Sequence, residues 1–184
     1  VSLVGLADPD VGTAGRVTRI FGVTVYKSYL DLLDEKKPDI VSIATPSGTH
    51  VEIASEVMRR GIHVLIEKPL ALSEEDGRTI IEHAVHNNVK LAVGHVERFN
   101  PAIIEIKKHL KNHELGRVFQ IRSRRVSPFP TRIQDVGVVL DLATHEIDIM
   151  CHLTGSPVER AYAEIERRAH DRCERSEEHT SELQ

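Results

Sequence analysis

Asp141 and His145 stand four residues apart in a stretch of helical apolar spacing, so both face one way. An imidazole so placed can take a proton, and a carboxylate one turn away can orient or charge it. A surface Asp–His pair is the competing reading. The surrounding Leu140, Leu142, Ile147, Met150 and Leu153 make a purely surface position less comfortable. Lys68 is a second candidate. It follows a strand of buried type and precedes Pro69, which restricts it to an extended conformation and can take the cis isomer. An ammonium on such a mount can polarise a carbonyl or hold a hydroxyl; a solvated charge at a strand tip is the alternative. Asp8 ends the first apolar run, where an acid can accept hydrogen bonds from an adenosine ribose or cap a loop. Arg122 and Arg124 alternate onto one strand face, with Arg125 and Arg132 nearby; they could grip a diphosphate or lie in solvent. His152, one turn past Asp148, reads as a capping or surface histidine. No His-Glu-x-x-His and no Cys/His ligand spacing occurs, so no metal site is expected.

The elements that would hold these residues alternate. Apolar runs at 2–7, 23–26, 39–44, 62–66 and 90–93 read as strands. Between them lie helical patterns at 14–21, 28–35 (Leu30 and Leu33 inward, Asp31 and Asp34 outward), from Val51 to Gly61, and after the Ser73 cap. Short buried-type strands alternating with amphipathic helices imply an α/β fold, a doubly wound parallel sheet covered on both faces. Ligands of such sheets sit outside the carboxyl ends of the strands. Asp8, Thr45-Pro46, Glu67-Lys68-Pro69 and Gly94-His95 all fall there. A second, α+β region follows: a helix from Pro101 to about Asn112, a strand over 117–126, a Pro-containing loop, a helix from about Val136 to Leu153, and a strand over about 158–167.

Composition narrows the function classes. The 184 residues carry 24 basic and 28 acidic side chains, a formal charge of −4. Such a chain has no overall pull on phosphate backbones, and with aromatics at 4% and no Trp it offers no stacking platform. Nucleic-acid binding is therefore not expected. No apolar run approaches the ~20 residues of a membrane-spanning helix. Two cysteines, Cys151 and Cys173, fit a reducing compartment, hence a cytoplasmic location.

Four motifs in order make the chain resemble the Gfo/Idh/MocA family, named for glucose–fructose oxidoreductase and inositol dehydrogenase. They are Ala44-Thr45-Pro46 with His50; Glu67-Lys68-Pro69; Gly94-His95-Val96-Glu97-Arg98-Phe99-Asn100-Pro101; and Gly137 with Asp141 and His145. The resemblance covers about residues 1–174 and leans toward a branch that oxidises UDP-N-acetylglucosamine at C3. It implies an NAD(P)-binding Rossmann domain followed by an open-sheet domain that shapes the substrate pocket and often an oligomer interface. By position it implies that Asp8 holds the ribose and that Thr45, Pro46, His50, Glu67 and Arg98 line the cofactor. Lys68, Asp141 and His145 would form the catalytic group, with Asn100 near the substrate; Arg122 and Arg124, read from their strand alternation and not from the resemblance, are expected to bind substrate as well. An acid at position 8 without an adjacent arginine favours NAD over NADP. The substrate would be a small sugar or nucleotide sugar and the protein a homo-oligomer. A redox-assisted glycosidase and a non-catalytic NAD(P)-binding regulator are the rival classes; retention of both Lys68 and His145 argues against the regulator.

One departure stands out. No G-x-G-x-x-G occurs, and Gly12 and Gly15 follow Asp8 instead of preceding it. The chain opens within an apolar strand, and residues 175–184 look like read-through of a sequencing adapter. The expectation is a chain cut at both ends. Residues 1–115 would be a partial Rossmann domain lacking its first strand and glycine loop, 116–174 the start of the second domain, and 175–184 an extraneous tail with no core-forming pattern. Lacking a central strand between the Asp8 strand and the 39–44 strand, such a chain is expected neither to fold stably alone nor to bind NAD tightly.

Overall fold

The computed structural model describes residues 1–125, 137, 139–164 and 179–183. The first half alternates as the apolar runs require: β1 (Leu6–Ala7), α1 (Val11–Phe21), β2 (Val25–Tyr26), α2 (Tyr29–Lys36), β3 (Ile40–Ile43), α3 (His50–Arg59), β4 (His63–Ile66), α4 (Glu74–His86) and β5 (Leu91–Val93). Then follow α5 (Pro101–Lys111), β6 (Ile121–Arg125), a π turn (Val139–Ala143), α6 (Thr144–Thr154) and β7 (His179–Leu183).

Local chemistry sets these boundaries. Ser28 accepts from the Leu30 N–H and Ser73 from the Asp76 N–H, each satisfying one orphan donor at a helix start. Asn100 does the same for α5, accepting from Ala102 N–H with Pro101 as the first helical residue. Gly61 and Gly155, both at positive φ, end α3 and α6. In α2 the buried leucines are Leu32 and Leu33, whereas Leu30, expected inward, is exposed. The inward face begins at Tyr29 and runs 29, 32, 33, the i, i+3, i+4 stripe of an eight-residue helix.

The parallel strands form two pieces. β1 pairs with β2, and β3–β4–β5 form a three-stranded sheet, Ile40 opposite His63 and Val64 opposite Leu91. β1 and β3 share no ladder, so the expected single sheet is split where the sequence reading placed a gap. The core lies behind β4. Val64 and Ile66 pack with Val57 and Met58 of α3 and Ile80 and Ala84 of α4, all nearly without exposure. Leu33, Leu32 and Tyr26 extend this cluster toward β1 and β2.

The second region corrects the sequence reading in four places. β6 begins at Ile121 instead of 117, and residues 117–120 are irregular. The expected helix from 136 divides into a π turn and α6. Residues 158–164 form no strand; none of the described strands pairs with them, and a strand exists only through its ladder. Residues 179–183, set aside in the sequence reading for want of a core-forming pattern, pair antiparallel with β6, Ile121 opposite Leu183 and Arg125 opposite His179. Backbone ladders need no apolar pattern, so no side-chain periodicity marks this strand. The Ser123 hydroxyl donates to the Glu146 carboxylate and ties β6 to α6. Among the described residues no helix is long and apolar enough to cross a membrane. The Pro loop 127–130 and Arg132 lie outside the described residues.

Candidate functional site

Parallel strands end their apolar runs at one edge, and the residues just beyond that edge form the site. Asp8 follows β1, half-buried, its Oδ1 accepting the Asp10 N–H at 2.8 Å. Thr45 and Pro46 follow β3, both exposed. Glu67 and Lys68 follow β4, and buried Gly94 follows β5. Gly94 serves a close approach: a Cβ there would lie 3.0 Å from Glu67 Oε2, so the Glu67 carboxylate rests against the β5 tip. The Lys68–Pro69 peptide is cis, one of the two options the sequence left open.

Lys68 reaches across to the second region. Its ammonium donates to the Asp141 carbonyl oxygen at 2.6 Å and to Asp141 Oδ1 at 3.1 Å. The side chains keep 17% and 7% exposure, so this is a largely desolvated ion pair. The sequence reading gave the Asp141 carboxylate to His145; the structure adds Lys68 as its partner, a contact across 73 residues that no local pattern encodes. His145 sits half-buried in the first turn of α6, one turn beyond. The three residues expected to form the catalytic group thus come from one strand tip and one helix start.

Other expected site residues have structural work. His50 is 1% exposed. Its Nδ1 lies 3.1 Å from the Pro69 carbonyl oxygen and 3.2 Å from that of Leu70, and its Nε2 lies 3.0 Å from that of Thr45. The polar atoms of this ring join the β3 and β4 tips, because burial obliges both nitrogens to find protein partners. Asn100 caps α5 and donates to Glu97 Oε2 at 3.0 Å. Arg98, also expected along the cofactor, grips Asp148 of α6 through two bonds, Nε to Oδ2 at 2.8 Å and Nη2 to Oδ1 at 2.5 Å. Burial alone would raise the Asp148 pKa; the Arg98 bonds and the charges of His95 and Arg98 outweigh it, holding the carboxyl below its ordinary range. His95 Nδ1 stands 3.6 Å from Asp148 Oδ1, beyond hydrogen-bond distance. His152, expected as a capping or surface residue, is half-buried, and Lys107 donates to its Nδ1 at 3.1 Å and its carbonyl at 2.7 Å. Desolvation, with Lys107 and Arg98 nearby, pushes its pKa down. Asp148 and Lys107 escaped the sequence reading. The available signal was the spacing 141, 145, 148, 152, one polar stripe on a helix rich in apolar residues. Arg122 and Arg124 share the exposed face of β6, as alternation requires.

This edge suits a dinucleotide in part. Asp8 and Glu67 carboxylates and the Thr45 hydroxyl are acceptors of the kind ribose hydroxyls need, and the close-packed Gly94 keeps the β5 tip low. No glycine-rich phosphate turn is present in the sequence. Among the described residues no cluster of His, Cys, Asp and Glu could hold a metal ion.

Comparison with known proteins points the same way. Residues 1–95 match the family profile described as an oxidoreductase family with an NAD-binding Rossmann fold, and residues 103–182 match a Gfo/Idh/MocA C-terminal domain. The UDP-N-acetylglucosamine 3-dehydrogenase of Acidithiobacillus ferrooxidans is 35% identical over 84% of this chain and 47% of its own length. Inositol 2-dehydrogenase 2 of Saccharopolyspora erythraea is 32% identical over 88% and 49%. The crystal structure of the WlbA dehydrogenase from Bordetella pertussis, in complex with NADH and UDP-GlcNAcA, superposes with TM-score 0.72 at 27% identity, covering 83% of this chain and 47% of that one. The chain spans about half the length of the curated relatives it matches.

Proposed function

The chain belongs to the Gfo/Idh/MocA family of oxidoreductases, whose N-terminal domain is an NAD-binding Rossmann fold, and from that premise we propose that the protein oxidises a sugar hydroxyl, C3 of a UDP-N-acetylhexosamine. The observation that carries the reading is the Lys68–Asp141 contact at the carboxyl edge of β4, with Asp141 four residues before His145 of α6. Bound NAD supplies the hydride acceptor. Asp8, Thr45 and Glu67 would hold it along the strand tips. His145 takes the proton of the reacting hydroxyl as general base. Lys68 donates to the developing alkoxide oxygen, and its ammonium is already fixed by Asp141 before substrate arrives. Because the mount is preorganised, little reorganisation remains for the reaction itself. The UDP-hexosamine assignment rests on the similarity to the UDP-N-acetylglucosamine 3-dehydrogenase of A. ferrooxidans.

The test offers the full-length protein a panel of UDP-sugars and free polyols, followed at the NADH absorbance band with product identification. NADH and a keto sugar from a UDP-N-acetylhexosamine are expected. Turnover of a free polyol alone would move the substrate to the inositol branch. A cleaved glycoside would make the protein a redox-assisted glycosidase. NAD binding without turnover would favour a regulator.

A further inference from the structure

We infer that Arg98 and Asp148 are a positioning pair that locks α6, and with it His145, in register against the Lys68 tip of β4; the inference deepens the functional reading above and rests on it for its catalytic consequence. Asp141, His145, Asp148 and His152 are spaced i, i+4, i+7 and i+11, the stripe that an ordinary packed helix fills with apolar side chains. Here three of the four meet cations that lie earlier in the chain. Asp141 holds Lys68 after β4, Asp148 holds Arg98 after β5, and His152 accepts from Lys107 of α5. The cations follow one another along the chain in the order in which the stripe runs along the helix. His145 lies on the stripe between the Asp141 and Asp148 contacts.

A polar stripe holds rotation better than an apolar one. Apolar side chains slide with little change in contact, whereas a bidentate guanidinium–carboxylate pair has one geometry. Arg98 supplies two parallel bonds, at 2.8 and 2.5 Å, to a carboxylate whose side chain is 9% exposed. A slip of α6 by one residue turns it by about 100° and carries His145 off the Lys68 side. The Arg98 side chain is 43% exposed, so solvent screens the pair and its weight is geometric more than energetic. Lys107 fixes the far end: its ammonium reaches the last turn of α6, where a cation also complements the helix dipole. Both carboxylate oxygens of Asp148 are engaged by Arg98, so neither partner needs to touch substrate for the pair to matter.

The experiment reads the Lys68 mount directly. Brief competitive labelling of the protein with acetic anhydride, scored at Lys68 by mass spectrometry, compares wild type with Arg98→Gln and Asp148→Asn. Arg78→Gln, which breaks only the exposed pair with Glu74, is the control. Lys68 is expected to label several-fold faster in both pair variants and at the wild-type rate in the control. Arg98→Lys keeps the charge and loses the fork, and is expected to behave as Arg98→Gln. With a turned-over sugar, kcat is expected to fall by about 10²-fold, as for misplacement near an ångström, while KM for NAD holds. A thermal melt checks that each variant folds, and Asp148→Asn, nearly isosteric, stands in if Arg98→Gln does not. Unchanged Lys68 labelling in a folded pair variant overturns the inference, as does full wild-type protection in Arg98→Lys. If wild type oxidises no sugar, the functional reading fails, and the labelling still decides the pair.

Discussion

The Lys68–Asp141 pair makes a sharp energetic prediction. At 3.1 Å, two unit charges attract by about 5 kcal/mol at an effective dielectric of ~20. Side-chain exposures of 17% and 7% mean that several kcal/mol of hydration per ion has been surrendered to bring them there, so the net worth of the pair is small. Removing one partner is different, because it leaves the other desolvated and alone. For fully buried pairs that costs 3–5 kcal/mol; Lys68 keeps some solvent and, in any Asp141 variant, the residue 141 carbonyl, so about 2–4 kcal/mol is expected here. Asp141→Leu and Lys68→Met should each lower the unfolding free energy by that amount. The double variant, with both charges gone and the volume filled, should lose only about 0–2 kcal/mol. The coupling, the double loss minus the two single losses, is then at least about 2 kcal/mol in favour of the double variant. Urea unfolding of the full-length protein and its three variants, followed by far-UV circular dichroism, supplies the cycle. Additive single losses would show that Lys68 and Asp141 are solvated independently and that the strand tip is not preorganised.

Four further outcomes follow from the same geometry. Ile66→Ala, at a position without exposure between α3 and α4, should cost about 2–5 kcal/mol in the same urea assay; a loss under half the lower figure would mean that the β4 core is loosely packed. His145→Ala should cut kcat on the oxidised sugar by about 10²–10⁴-fold with cofactor affinity held, and a near-normal kcat would make the residue structural. The depressed pKa values of His152 and Asp148 mean that the unfolded chain takes up protons before the folded one does. The stability they contribute is present above about pH 6.5 and about pH 3.9, respectively, and is lost as pH falls toward the folded values. The drop in urea midpoint from about pH 7 to pH 5 should therefore shrink in His152→Gln, and an unchanged drop would remove His152 from that window. Because β1 and β3 share no ladder, amides of the β1–β2 pair should exchange with solvent sooner than those of β4, and equal protection would mean that the two sheets unfold as one.

The sequence by itself determined what depends on neighbours along the chain. Continuous apolar runs and 3.6-residue spacing placed the parallel strands and their helices, because such strands bury both faces and each helix buries one. Ser28, Ser73, Gly61 and Gly155 marked helix ends, because orphan N–H and C=O groups need satisfying locally. The ordered motifs around Thr45, Lys68, Arg98 and Asp141 carried the family. Tertiary structure alone decided who faces whom. A lysine at position 68 carries no sign of an aspartate at 141, and an arginine at 98 reads equally well as a cofactor ligand or as the partner of Asp148. The burial of His50 among three carbonyl groups became visible only in the structure. Strand β7 was illegible because a ladder is made of backbone, which every sequence has. Spacing fixes which side chains share a face; only packing fixes what that face meets.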